Sequence, residues 1–219
     1  MNQDRDMGIK AVIFDMDGLM LDTEKLYELF WERALQFYGY QPNKQLLLDL
    51  RSLSRDLAAK LLQQNFGLEL DYHQIRNKRV ELMNAYIEEH GIEKKEGLDE
   101  LLAYLKKKEY RMAVATATEY ERTKLYLTQL GLHEYFDVIV CGPMVAHGKP
   151  APDIYQKAIE LLGKSPKECL ALEDSPNGVT SAYRAGCNVI MIPECEENEI
   201  GEGVKYQQVK SLRDIIGIL

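Results

Sequence analysis

VIFDMDGLMLDTE, residues 12–24, is the stretch that decides the fold. Its apolar start is typical of a buried strand, but Asp15 and Asp17 follow directly, and Gly18 comes next. Two like charges held close together at the end of a buried strand are unfavourable unless a cation or a reaction requires them. The stretch therefore predicts a strand that delivers a pair of carboxylates to a functional site.

Residues 22–92 carry helical periodicity and no convincing strand. The periodicity predicts four helices, which span residues 24–38, 43–51, 54–65 and 71–89. Ser54 is a predicted N-cap of the third helix, and Asp71 with Gln74 reads as a capping box for the fourth. This segment is predicted to be a small all-helical unit inserted after the first strand.

From about residue 97, strands and helices alternate along the chain. The predicted strands span residues 110–116, 136–142, 168–174 and 188–193, and the helices 98–108, 120–130, 152–162 and 177–185. Alternation of this kind, with strands that are near-continuous apolar runs, indicates a parallel sheet covered by helices on both faces. We therefore predict an α/β fold. A Rossmann-like doubly wound core of residues 1–21 and 93–219 carries an inserted four-helix cap domain of residues 22–92.

Composition and charge narrow the function classes. The chain has 219 residues, 46% of them hydrophobic and 28% charged, which is ordinary for a globular protein. A formal net charge of −8 speaks against general affinity for nucleic acid or anionic lipid. No signal-peptide pattern or run of about 20 apolar residues is found, and the four cysteines show no metal-binding spacing. We expect a soluble, cytoplasmic protein with a small-molecule ligand and no nucleic-acid or membrane partner; the sequence leaves its oligomeric state open.

Polar side chains stand at the predicted strand ends, where open parallel sheets bind ligands. They are Asp15 and Asp17 after the first strand, Thr116 at the end of the second, Glu173 and Asp174 after the strand near residue 170, and Lys149 on a loop that can reach the same edge. Crowded carboxylates raise one another's pKa values unless a cation neutralises them. Oxygen ligands without nearby histidine or cysteine favour Mg²⁺, whereas a calcium-binding EF-hand would need oxygen ligands where Leu19 and Leu26 stand.

This set of groups predicts phosphoryl transfer. With Mg²⁺ present, one carboxylate can attack phosphorus and form an aspartyl-phosphate, while a second acid protonates the leaving oxygen. Asp15 and Asp17 are spaced for these two roles. The Thr116 hydroxyl group and the Lys149 ammonium group can stabilise the negative charge on the phosphoryl oxygens.

Four motifs in order, DMDG, VATAT, GKPAPD and LEDSPNG, resemble those of the haloacid dehalogenase superfamily, and the helical insertion matches its group with a small helical cap. The resemblance implies that Asp15 is the nucleophile and Asp17 the general acid and base. It implies a phosphate-binding set of Thr116, the Ala117 amide and Lys149, and we also assign Gly18 to substrate binding. The Mg²⁺ ligands would be Asp15, the Asp17 carbonyl and Asp174, with Glu173 bound directly or through water.

The resemblance separates some of the reactions found in this superfamily. Relatives that cleave carbon–halogen bonds do not keep the second aspartate, so Asp17 favours a hydrolase acting on a small phosphomonoester. A beta-phosphoglucomutase-type mutase is the alternative, because Arg55 matches the cap arginine that grips the distal phosphate in that pattern, although Tyr27 stands where the pattern has a histidine. Lys78 is a candidate second cap cation. A non-catalytic phosphate-binding module is a remote alternative, and none of the motifs is broken as it would require.

Overall fold

A six-stranded parallel sheet lies at the centre of the molecule. The computed structural model describes residues 8–50, 53, 55–193 and 200–219. The strand order is β3-β2-β1-β4-β5-β6. The strands are β1 (Ala11–Phe14), β2 (Arg111–Thr116), β3 (Val138–Cys141), β4 (Cys169–Glu173), β5 (Asn188–Met191) and β6 (Gln207–Gln208). Every residue of β1 and β4 is buried, as expected for the middle of a parallel sheet covered on both faces.

Helices pack on both faces of this sheet. They are α5 (Leu98–Lys107), α6 (Tyr120–Gln129), α7 (Asp153–Leu162) and α8 (Pro176–Arg184). Because side chains alternate along a strand, Val12 and Phe14 join the apolar cluster that contains α5 and α6, whereas Ala11 and Ile13 join the cluster of α7 and α8. The predicted doubly wound α/β fold is confirmed.

Strand β1 lies where the order of the sheet reverses. It pairs with β2 on one side and with β4 on the other, and Phe14 is level with both Val114 and Leu172. In sheets of this type, ligands bind in the crevice at such a reversal, beyond the carboxyl ends of the strands. The residue after Phe14 is Asp15, so the first predicted acid lies in this crevice.

Among the described residues, four helices lie between β1 and α5. They are α1 (Glu24–Phe37), α2 (Lys44–Asp49), α3 (Arg55–Phe66) and α4 (Tyr72–His90). Residues such as Trp31, Leu47, Leu62 and Ile75 form an apolar cluster of their own, while Phe30 of α1 reaches the cluster beside the sheet. The Asp71 side chain accepts a hydrogen bond from the Gln74 N–H at 3.1 Å, which is the N-cap half of the predicted capping box. The predicted N-cap Ser54 lies outside the described residues.

Two features near the carboxyl terminus are absent from the sequence prediction. Strand β6 consists of two exposed glutamines that pair with β5, and a 3-10 helix, Leu212–Gly217, packs beside α5. A two-residue polar strand carries no apolar pattern, so the local sequence does not predict it.

Within the part of the chain that the structure covers, no helix is both long and apolar enough to cross a lipid bilayer.

Candidate active site

The chain turns sharply after β1 and brings Asp15 into the crevice. The Asp15 N–H donates to the Leu172 carbonyl at 3.1 Å, which continues the pairing with β4 one residue past the strand. Gly18 has φ +88°, and a Cβ there would lie 2.1 Å from Asp174 Oδ2 and 2.7 Å from Glu24 Cγ. The turn therefore requires glycine both for its backbone conformation and for the close approach of these two acids.

Three buried carboxylates converge at this point. Asp15, Glu173 and Asp174 each offer an oxygen, and these oxygens all lie within 4.8 Å of one another. Lys149, 2% exposed, donates to Asp15 Oδ1 and, at 2.6 Å, to Glu173 Oε1. Glu173 Oε1 also accepts a hydrogen bond from the Tyr155 hydroxyl group at 2.5 Å. The structure thus brings the first, third and fourth motifs to one cluster.

Burial and the repulsion between neighbouring carboxylates shift the pKa values in this cluster. Burial raises the pKa of Asp15, and the charges of Glu173 and Asp174 raise it further, against the opposing effect of Lys149. Burial also raises the pKa of Asp174, together with the charges of Glu24 and Glu173. Burial lowers the pKa of Lys149, but its contacts with Asp15 and Glu173 outweigh that effect, so its pKa is raised and the side chain stays charged.

The charge and the donor atoms of the cluster fit a divalent cation. When all three carboxylates are ionised, the Lys149 ammonium group leaves two negative charges uncompensated, and a bound cation would favour that ionised state. Asp174 Oδ1 is buried, and none of the described residues donates a hydrogen bond to it. Hard oxygen donors in this arrangement are the ligands that Mg²⁺ prefers.

Asp17 is not a member of the three-carboxylate cluster, and hydroxyl groups donate hydrogen bonds to it. Its Oδ2 accepts from Thr118 Oγ1 at 2.7 Å and from Thr116 Oγ1 at 3.4 Å, and its Oδ1 accepts from Thr23 Oγ1 at 3.0 Å. Thr116 Oγ1 in turn accepts from the Thr118 N–H at 3.1 Å. The structure therefore brings Thr116 to Asp17, and the two acids of the first motif occupy different surroundings.

A cavity of about 110 Å³ lies between the helical segment and the carboxyl ends of the strands. Asp17, Ala117 and Thr118 line it from the sheet side, and Arg55 lines it from α3. Ala117 and Arg55 therefore stand where a bound small molecule could meet them. The cavity adjoins the hydroxyl-bound carboxylate of Asp17, so a molecule in it would be next to that acid.

Lys78, predicted as a second cap cation, does not line this cavity. Its ammonium group pairs with Glu81 at 2.7 Å and lies 4.6 Å from the centroid of the Phe37 ring. Residues three apart share a helix face, so Arg76 and Arg79 point together, whereas Lys78 between them points elsewhere. The cations that α4 presents to the cavity are Arg76 and Arg79, which corrects the prediction for Lys78.

Sequence reasoning missed several residues of this site. Glu24, 4% exposed, closes the quoted stretch and lies beside Asp174, so the run of acids from Asp15 onward was an available signal. Tyr155 and Arg122 had no such signal, because an aromatic residue and an arginine on a surface helix are ordinary. Tyr155 reaches Glu173, and Arg122 lines the cavity, only because of how α7 and α6 pack.

Known proteins resemble this chain in sequence and in fold. The sequence model of the haloacid dehalogenase-like hydrolase family matches residues 12–192. A probable pseudouridine-5'-phosphatase from Drosophila melanogaster is 32% identical over 208 residues, covering 92% of this chain and 89% of that protein. A phosphorylated carbohydrates phosphatase from Thermotoga maritima is 32% identical over 178 residues, covering 81% of this chain and 82% of that protein. A solved structure of a CbbY variant from Rhodobacter sphaeroides, in complex with xylulose-(1,5)-bisphosphate, has a TM-score of 0.81 and 29% identity, covering 94% of this chain and 96% of that one. This chain therefore belongs to the haloacid dehalogenase-like hydrolase family.

Proposed function

We propose that this hydrolase is a Mg²⁺-dependent phosphatase that cleaves a small phosphomonoester through an aspartyl-phosphate on Asp15. The observation that carries the proposal is the pairing of two different acids: Asp15 in a buried cluster short of positive charge, and Asp17 held by hydroxyl groups beside the cavity. Relatives named as a probable pseudouridine-5'-phosphatase and a phosphorylated carbohydrates phosphatase support a phosphorylated metabolite as substrate.

The residues that would hold Mg²⁺ are Asp15, Asp174 and the Asp17 carbonyl, with Glu173 bound directly or through water. When bound, the ion supplies positive charge that offsets carboxylate repulsion and stabilises the charge on the phosphoryl oxygens. Glu173 also positions Lys149 and Tyr155, because its Oε1 atom accepts a hydrogen bond from each of them.

The chain's own residues account for the bonds that form and break. An Asp15 carboxylate oxygen attacks phosphorus while the bond to the leaving oxygen breaks, and Asp17 in its acid form gives that oxygen a proton. Asp17, now ionised, takes a proton from water as the water attacks phosphorus, which releases inorganic phosphate and regenerates Asp15. Lys149, Thr116 and the Ala117 amide would bind the phosphoryl oxygens, with Gly18 keeping the turn close to them.

We propose that residues 22–92 act as a cap on a core of residues 1–21 and 93–219. The cavity between the two parts would hold the leaving group, because Asp17 lies at one wall and must reach the leaving oxygen. Arg55 would contact the leaving group from the cap side. Substrate binding should then slow amide hydrogen exchange in residues 22–92, and no change there would contradict the cap proposal.

The test of the reaction is hydrolysis of p-nitrophenyl phosphate with and without Mg²⁺. We expect Mg²⁺-dependent release of phosphate that is abolished in Asp15→Asn, because an amide cannot form the aspartyl-phosphate. Lys78→Ala is a matched control, since Lys78 lies away from the cavity, and it should retain activity. Wild-type turnover in Asp15→Asn would overturn the nucleophile assignment.

The mutase alternative shares this site and calls for a parallel assay. Tyr27 stands in place of the mutase histidine, and its hydroxyl group lies 3.4 Å from Thr118 Oγ1. The Thr118 hydroxyl group in turn donates to Asp17. Tyr27 could therefore help to hold the catalytic acid. Interconversion of glucose 1-phosphate and glucose 6-phosphate, primed with glucose 1,6-bisphosphate, would replace the phosphatase proposal if it outpaces phosphate release.

A further inference from the structure

Two arginines of the helical segment share one carboxylate of the α/β core. Arg55 Nη2 and Arg76 Nη2 both donate to Glu119 Oε1, at 2.6 Å and 2.8 Å. Glu119 is the N-cap residue of α6 and directly follows Thr118, the donor to Asp17. The side chain of Arg76 is 16% exposed and that of Glu119 is 48% exposed, so these contacts lie at the mouth of the cavity.

Both arginines line the cavity in which the leaving group would lie. Guanidinium groups bind carboxylates and phosphates through paired N–H donors, so a cavity with two available arginines would recruit a second anionic group. Here the protein supplies that anion itself. Burial raises the pKa of Glu119, but the hydrogen bond from Arg76 and the charges of Arg76 and Arg55 outweigh this effect and lower it overall, so the carboxylate is ionised at neutral pH.

The other two cavity arginines, Arg79 and Arg122, each have a buried Nε atom that donates no hydrogen bond to any of the described residues. The Arg79 guanidinium lies 4.7 Å from the centroid of the Tyr27 ring and 5.0 Å from that of Trp31. Burial lowers the pKa of Arg122, but the electrostatic effect of nearby groups that include Asp17 and Glu119 outweighs burial and raises it. At Arg55 and Arg76, an anionic leaving group would therefore meet two arginines that are already paired with a carboxylate, together with the negative charge of Glu119.

We propose that Glu119 is a specificity-determining residue, whose carboxylate occupies Arg55 and Arg76 and so selects against leaving groups that carry a second phosphate or carboxylate. The inference rests on the proposed phosphatase function and favours substrates whose leaving group places no second anion at Arg55 and Arg76, such as phosphate esters of uncharged sugars, polyols or nucleosides. Glu119 acts through the two arginines and does not contact the reacting phosphorus.

The test is competition against p-nitrophenyl phosphate hydrolysis by fructose 1-phosphate and by fructose 1,6-bisphosphate. In Glu119→Gln, the inhibition constant of the bisphosphate should fall by at least about threefold relative to that of the monophosphate, because the two arginines become available to the second phosphate. The gain should shrink at high salt, which screens half-exposed charges. Adding both Arg55→Gln and Arg76→Gln to Glu119→Gln should remove the gain, since these changes act on one set of contacts.

Matched controls separate specificity from cap closure. Glu121→Gln makes the same change on an exposed neighbour in α6, and Glu119→Asp keeps the charge; both should retain the wild-type ratio. If the two inhibition constants change in parallel, or not at all, while aryl phosphatase activity persists, the ion pairs serve only closure and the inference is wrong. Absence of Mg²⁺-dependent activity in the wild type would overturn the proposed function and this inference with it. Should Glu119→Gln fail to fold, Glu119→Ser allows the same comparison.

Discussion

Replacing Tyr155 with phenylalanine tests whether the Tyr155 hydroxyl group stabilises the buried carboxylate cluster. Tyr155 is fully buried, and its hydroxyl group donates to Glu173 Oε1 at 2.5 Å. Burial and the charges of Glu173 and Asp15 raise the pKa of this tyrosine well above its ordinary value, so the hydroxyl group is a proton donor at any working pH. Tyr155→Phe removes that donor and leaves the ring, and therefore the packing, in place.

The expected loss of stability is set by the charge of the acceptor, the Glu173 carboxylate. A hydrogen bond to a charged group contributes about 1.5–3 kcal/mol, and the lower part of that range applies here because Lys149 still donates to the same oxygen. For a chain of this size, each kcal/mol lowers the melting temperature by about 2–4 °C. We therefore expect Tyr155→Phe to lower it by about 3–8 °C.

The assay is chemical or thermal unfolding followed by far-ultraviolet circular dichroism at pH 7. Tyr183→Phe is the matched control, because Tyr183 packs partly buried against the same apolar cluster and is expected to change stability by less than about 0.5 kcal/mol. Equal stability of Tyr155→Phe and the wild type would refute the reasoning, since it would mean that the hydroxyl group makes no net contribution to the cluster.

Three further changes test other parts of the site. Asp17→Asn should lower kcat for p-nitrophenyl phosphate by about 10²–10⁴-fold, because general acid–base catalysis is lost, and a smaller effect would place the proton donor elsewhere. Gly18→Ala should abolish Mg²⁺-dependent activity and weaken Mg²⁺ binding in calorimetry, because its Cβ would lie 2.1 Å from Asp174 Oδ2. The pKa of Glu119 is lowered from 4.5, so its ion pairs stabilise the fold above that pH and are lost as the pH falls through the lowered value. The stability difference between wild type and Glu119→Gln should therefore vanish in acid unfolding curves, and a difference that stays constant from neutral pH to the acid end of the curves would contradict this.

The sequence predicted the strand ends well because their signals are local. An apolar run that ends in Asp15, or in Glu173 and Asp174, marks a buried strand and its polar end within a few residues. Parallel pairing then follows from the alternation of strands and helices, and it carries these acids to one edge of the sheet. The three-carboxylate cluster could thus be anticipated before any coordinate was known.

The contacts between elements could not be anticipated in the same way. Lys78 and Arg79 are adjacent in the sequence, but one faces Phe37 and the other the cavity, because helix rotation is set by packing. Glu119 and Arg55 are equally ordinary surface residues when taken singly. Their ion pair depends on how α3 approaches the start of α6.

The sequence by itself determined the class of fold, the order of its elements and the acids that meet at the ends of β1 and β4, because hydrophobic burial and strand polarity act through short patterns. Only the tertiary structure decided that Tyr155 and Lys149 share Glu173, that three hydroxyl groups donate to Asp17, and that Glu119 engages two arginines of the helical segment. These contacts join residues far apart in the chain, and their distances depend on the orientations that whole helices adopt when they pack.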